Sequence, residues 1–130
     1  MKRSYITLAL RIALGLLLVY FGFFNITTPD TYSSYIPAFL TEYFEASVLM
    51  QLNGIIEIIF GLLLLGGLYR MAVSVLVGLH VLGIAVLVWP ADISIRDFAL
   101  AITAFTLACM DDDKYSLDEK WRKQIIQHKT

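Results

Sequence analysis

The chain has 130 residues, 58% of them hydrophobic and 16% charged, with a net charge of −1 and a mean hydropathy of +0.72. A soluble domain carries about a quarter charged residues and under half apolar ones, so this composition describes an integral membrane protein forming one compact bundle. The balance of charges offers no basic surface for nucleic acid. The single cysteine, Cys109, rules out an intrachain disulfide, a C-x-x-C pair and a cysteine zinc site.

The first predicted span is 5–26. The opening Met1-Lys2-Arg3 and the apolar run after it imitate a signal peptide, but Arg11 interrupts the run and no small-x-small cleavage site follows. The reading is an uncleaved membrane helix. Arg11, Gly15, Leu18 and Gly22 share one face of it, and the glycines allow another helix to approach closely. Thr27-Thr28-Pro29-Asp30 ends the span. The connection 27–45 is rich in aromatic residues and holds the acids Asp30, Glu42 and Glu45 but no Lys or Arg. Rings of this kind favour the headgroup level, which predicts a short interfacial helix broken at Pro37.

The second span, 46–68, carries Glu57 near its middle. An ionisable side chain at that depth is expensive and is by default a functional or pairing site. Met50, Asn53, Gly54, Glu57, Gly61 and Leu64 form one face, which must look into protein because lipid cannot satisfy it. Only a short turn leads to the third span, 71–89, so these two helices are expected as antiparallel neighbours. His80 lies at mid-depth in the third span. The fourth span, 95–110, opens on Arg96 and Asp97, and Asp97 suits a helix N-terminus. Asp97, Ala101, Ala104 and Ala108 make a small-residue stripe. Ser116 with Glu119 is a capping-box pattern, and Leu117, Trp121 and Ile125 line one face of an expected interfacial tail helix.

The predicted architecture is therefore all-α: a four-transmembrane-helix bundle over 1–112, with an outer interfacial loop or helix, and a C-terminal amphipathic helix within 113–130. Lys2, Arg3, Arg70, Lys114, Lys120, Arg122, Lys123 and Lys129 fall on one side of this arrangement and only Arg96 on the other. Both termini are then cytoplasmic.

In this topology Glu57 is about eleven residues from either end of its helix, and Arg11 lies roughly 7 Å nearer the cytoplasm. The expectation is a buried Arg11–Glu57 pair with Asn53 and His80 nearby. Two readings remain open. The pair either lines a polar pocket that holds a quinone headgroup or another small polar ligand, or merely neutralises itself and fixes which helices meet. His80 alone reads first as a core histidine. Arg96–Asp97 reads first as a helix-start pair and second as part of an outward-facing site. No catalytic triad, phosphate loop or metal cluster is apparent, so no metal is expected and catalysis by this chain alone is not.

The ordered polar landmarks, Arg11-x-x-x-Gly15, Tyr35-Ile36-Pro37, Gly54-Ile55-Ile56-Glu57-x-x-x-Gly61, Arg70, Asp92-x-x-x-Arg96-Asp97 and Ser116-Leu117-Asp118, resemble the DoxX family of small membrane proteins. The resemblance implies a four-helix transmembrane bundle. Where that family often has a lysine after the glycine stretch of the first span, this chain has Asn25. Relatives include subunits associated with quinol oxidase and with thiosulfate:quinone oxidoreductase. The resemblance therefore implies an accessory or quinone-proximal subunit of a membrane redox complex, with lipid, other redox proteins or further copies of the chain as partners. A non-catalytic assembly or chaperone-like factor is the rival, and a small transporter that protonates Glu57 a third.

Overall fold

The computed structural model describes residues 2–128, which form helices α1 (Lys2–Thr27), α2 (Asp30–Ser33), α3 (Ala38–Thr41), α4 (Ala46–Gly66), α5 (Arg70–Leu87), α6 (Asp92–Ala108) and α7 (Leu117–His128). Lys129, one of the cations counted above, lies outside the described residues. The helices α1, α4 and α5 are long and apolar enough to cross a membrane. Exposed Leu16, Phe23, Leu52, Ile59, Leu62, Leu76 and Val86 give them an apolar outer surface, as contact with lipid acyl chains requires. The chain is an all-helical membrane protein. α6 has 17 residues and carries its charged pair in the second turn, because the helix begins at Asp92 and not at Ile95.

Two helix pairs dominate the packing, α1 with α4 and α5 with α6. The turn-linked helices α4 and α5 touch far less than their connection suggests, because the small-residue faces find other partners. A Cβ on Gly54 would stand 2.5 Å from the carbonyl oxygen of Gly22, and one on Gly61 would stand 2.8 Å from that of Gly15. Only glycine permits such backbone contact, so α1 and α4 lie antiparallel with Gly22 opposite Gly54 and Gly15 opposite Gly61. On the other pair Gly78 receives the ring of Phe105, and Ala101, Ala104 and Ala108 are buried.

The bundle has two ends, one carrying the N-terminus and the other carrying the loop 28–45. At the loop end the predicted interfacial segment is two single-turn helices, α2 and α3, separated by Pro37 at the N-cap of α3. At the N-terminal end α4 stops in a Schellman turn. The Leu68 N–H donates to the Leu63 carbonyl at 3.0 Å, the Gly67 N–H donates to Leu64 at 3.0 Å, and Gly67 is left-handed with φ 67°. A Cβ there would meet Ser116 Cβ at 2.7 Å. Gly67→Ala combines that clash with left-handed strain, and we expect a loss of about 1–3 kcal/mol in an unfolding titration in detergent.

The segment leading to α7 is built into this end of the bundle. Asp118 accepts the N–H groups of Tyr69 and Arg70 at 2.9 Å each, so a carboxylate from a distant part of the chain caps the start of α5. Arg70 donates to Asp112 at 2.8 Å and to the carbonyls of Leu107 and Met110 at the close of α6. Ser116 Oγ accepts the Glu119 N–H at 3.2 Å, one arm of the expected capping box. Beyond it α7 has no buried residue. Hydrogen bonding from Arg122 holds the Glu119 carboxyl below its ordinary range. That contribution to α7 is present at neutral pH and is lost as pH falls through the depressed value.

Candidate functional site

The expected Arg11–Glu57 pair does not form. In the glycine register Arg11 stands opposite Leu65, eight residues or about 12 Å along α4 from Glu57. Helical side chains also lean toward their own N-terminus, so in these antiparallel helices the two lean apart. Arg11 instead closes the N-terminal end of the bundle. Its Nε donates to Asp113 Oδ2 at 2.8 Å, Nη2 to Asp113 Oδ1 at 3.3 Å, and Nη1 to the carbonyls of Leu64 and Leu65 at 2.7 and 2.6 Å. Arg11 is 2% exposed and Asp113 is fully buried. A cation on the last-turn carbonyls of α4 also suits the negative end of that helix.

Glu57 meets Asn25. The Asn25 side chain leans back along α1 and Glu57 leans toward the loop end of α4, so the two converge beside the Gly22–Gly54 contact. Asn25 Nδ2 donates to Glu57 Oε2 at 2.9 Å. Asn53, one turn before Glu57, stands beside the same carboxylate. His80 is not part of this group. Its ring packs edge-on against Phe60 at 6.1 Å between centroids, and its buried Nε2 has no hydrogen-bond partner among the described residues.

The residues around Glu57 floor a cleft of about 170 Å³ at the loop end of the bundle. Asn25, Asn53, Glu57, Arg96 and Asp97 supply its polar surface, and all four long helices contribute to its walls. Tyr32, Tyr35, Pro37 and Leu40 roof it. Arg96 Nε donates to Asp97 Oδ1 at 2.8 Å, while its guanidinium carbon lies 4.4 Å from the centre of the Phe21 ring. This is a cation–π contact that holds the arginine against α1. Asp97 is 4% exposed, and its partner Arg96 reaches it from the cleft side. The pair that reads as a helix-start feature in the sequence thus lies beside Glu57.

Asn25 enters the sequence reading only as a departure from the family's lysine and not as a residue of the site. It is 5% exposed, and its Oδ1 is buried without a hydrogen-bond partner. The signal was available, since it falls one turn after Gly22 on the arginine's face of α1 and within reach of the polar face of α4.

These features define a small helical membrane protein with a polar cleft between apolar helices, covered by an aromatic loop. The DoxX family model matches residues 6–90, and the chain belongs to that family. The match takes in α1 to α5, while α6 with Arg96 and Asp97, the clasp at Asp112 and Asp113, and α7 lie beyond it. Among curated proteins and among solved structures, nothing matches the chain.

Proposed function

We propose that this DoxX-family protein is an accessory, quinone-proximal subunit of a membrane redox complex, and that its loop-end cleft receives the quinone head. The observation that supports this is the cleft itself: about 170 Å³ of space, polar at its floor and aromatic at its roof, within a bundle whose outer surface is apolar. An engineered cavity of about 150 Å³ accommodates benzene, so the space suits a single six-membered ring. A ligand that travels in the bilayer needs an apolar approach and a few fixed polar groups at the end of it.

In this reading α6 is the fourth membrane-crossing helix. Its charges are tolerated because Arg96 and Asp97 satisfy each other within the cleft and do not face lipid. The bias of Lys and Arg toward the N-terminal end puts that end in the cytoplasm and the cleft in the outer half of the bilayer. Arg11 and His80 then have no direct part in binding. Arg11 holds the opposite end of the bundle, and His80 packs between α4 and α5.

Glu57→Gln tests the reading. Native mass spectrometry of protein extracted gently from its own membranes is expected to show a quinone-sized adduct on the parent. The folded variant is expected to be at least about tenfold depleted in it, since an amide N–H₂ stands where one of two carboxyl oxygens stood in a site that excludes water. A bare mass in both, with a co-purified protein, would overturn the quinone reading in favour of an assembly factor.

A further inference from the structure

The first turn of α7 fixes which way that helix faces. Asp118 accepts the Arg70 N–H, and the free N–H groups at the start of a helix point out along its axis, so this carboxylate sits beyond the end of α5. Leu117 beside it reaches Gly66, where a Cβ would stand 3.7 Å from Leu117 Cδ1. Two successive side chains of α7 are thus directed into the end of the bundle. Side chains leave a helix sideways, so the axis of α7 runs across that end and along the plane of the membrane that α1, α4 and α5 cross. At about 100° per residue, Trp121 and Ile125 both fall between Leu117 and Asp118 around the helix. They look the same way, toward the bilayer. Yet every residue from Lys120 to His128 is exposed, so the last 13 Å or so of α7 have passed beyond the edge of the protein beneath it.

The charges at this end are sorted by direction. Three acids turn inward, Asp113 to Arg11, Asp112 to Arg70 and Asp118 to the start of α5. Asp111 is the exposed exception, and Glu119 is shared by Arg122 and Lys123. Arg3, Lys114 and Lys120 are exposed and have no carboxylate partner among the described residues. Around α7, Lys120 and Arg122 stand on either flank of the face that carries Trp121 and Ile125. The bond from Arg122 to Glu119 lies at the surface and holds the guanidinium only weakly.

We infer that α7 lies on the bilayer surface at the N-terminal end of the bundle and binds anionic phospholipid headgroups. Trp121 and Ile125 enter the interface, and Lys120 and Arg122 meet the phosphates beside them. A 12-residue helix with no buried side chain is too short to hold its shape in water alone, so α7 gains its stability from the surface it rests on. Exposed Tyr5, Tyr69 and Tyr115 at the same end add rings suited to the headgroup level. A soluble partner would meet the opposite side of α7, where Glu119 and Lys123 are paired with each other and Ile126 is the one apolar residue. The inference concerns the end of the bundle away from the cleft and does not depend on what the cleft holds.

The experiment is amide hydrogen exchange of the full-length protein in nanodiscs holding one copy each. One set is made of phosphatidylcholine alone and the other includes about 30% phosphatidylglycerol to supply the anionic surface. The amides of 120–128 are expected to exchange at least about tenfold more slowly in the anionic discs. The segment 28–45, which has no Lys or Arg, should change little. Equal rates for 120–128 in the two lipids overturn the inference: fast exchange in both leaves α7 free for a soluble partner, and slow exchange in both means apolar seating without recognition of charge. An equal slowing of 28–45 makes the effect a general one of the lipid and overturns it as well. Lys120→Gln with Arg122→Gln should abolish the difference, and because neither side chain is buried the bundle should fold as the parent does. A double variant that keeps the full difference also overturns the inference.

Discussion

Asp113→Asn is expected to lower the unfolding free energy of the detergent-solubilised protein by about 3–5 kcal/mol, the cost of removing one partner from a buried ion pair. Asp113 is fully buried and accepts both a 2.8 Å bond from Arg11 Nε and a 3.0 Å bond from the Tyr115 N–H. The amide that replaces it is uncharged and places an N–H₂ where one of two acceptor oxygens stood. Arg11 would keep its bonds to the Leu64 and Leu65 carbonyls but lose its counter-charge. Because the same segment carries Asp112 to Arg70 and Asp118 to the start of α5, the damage should spread. The chain after Asp111 would loosen, and proteolysis within 112–128 should accelerate. A double replacement, Arg11→Met with Asp113→Leu, removes both charges and should recover a large share of the loss. Unfolding titrations of the three proteins decide the matter. Equal stability of Asp113→Asn and the parent would show that the pair is solvated and not the lock described here.

Gly54→Ala is expected to cost about 1–3 kcal/mol and to disable the cleft at the same time. The added methyl would stand 2.5 Å from the Gly22 carbonyl, 2.9 Å from Ile26 Cγ1 and 3.1 Å from Asn25 Cβ. Backbone occupies the first of these positions, so rotamer changes cannot relieve it and α1 must move away from α4. That movement draws Asn25 from Glu57 and opens the cleft floor. Gly83→Ala is the matched control, since nothing lies within 4 Å of the Cβ it would add. Its helix should be unchanged or stabilised by up to about 1 kcal/mol. Thermal unfolding of both variants, with ligand binding measured alongside, separates a packing effect at the α1–α4 contact from a general effect of removing glycine.

The two substitutions act at opposite ends of the bundle and belong to different kinds of interaction. Asp113 holds helix ends through charge and hydrogen bonds where the backbone has unsatisfied carbonyls. Gly54 sets the distance between helix axes where the interior is apolar. The cleft depends on both. The glycine contact brings Asn25 to Glu57, and the clasp at the N-terminal end keeps the α4–α5 turn, and with it the α5–α6 pair, in place.

Several features were legible in the residues alone. Composition and the long apolar runs required a helical membrane protein, and the spacing of Gly15 with Gly22 and of Gly54 with Gly61 marked the faces on which α1 and α4 meet. The exposed apolar residues of the spans follow from the same periodicity, since a helix in lipid must turn its polar and small residues inward. Pro37 and Ser116 each mark a boundary through local backbone chemistry, whereas the span read to 68 ends at Gly66, where Gly67 turns left-handed. These are properties of short windows, which a sequence states directly.

The pairing of charges was decided only by tertiary structure. Depth arithmetic places Arg11 roughly 7 Å from the level of Glu57, within reach of a long side chain, but it omits the direction in which each side chain leans and the register fixed by the glycines. Those two facts send Arg11 to Asp113 and Glu57 to Asn25. Asp112 and Asp113 look in the sequence like the start of a solvated tail, yet Arg11 and Arg70 near the same end each needed a carboxylate. A partner 102 residues away along the chain is invisible to any local pattern. The cleft belongs to the same class. Asn25, Glu57 and Asp97 lie on three different helices, and only the packing of those helices makes three ordinary polar residues into one site.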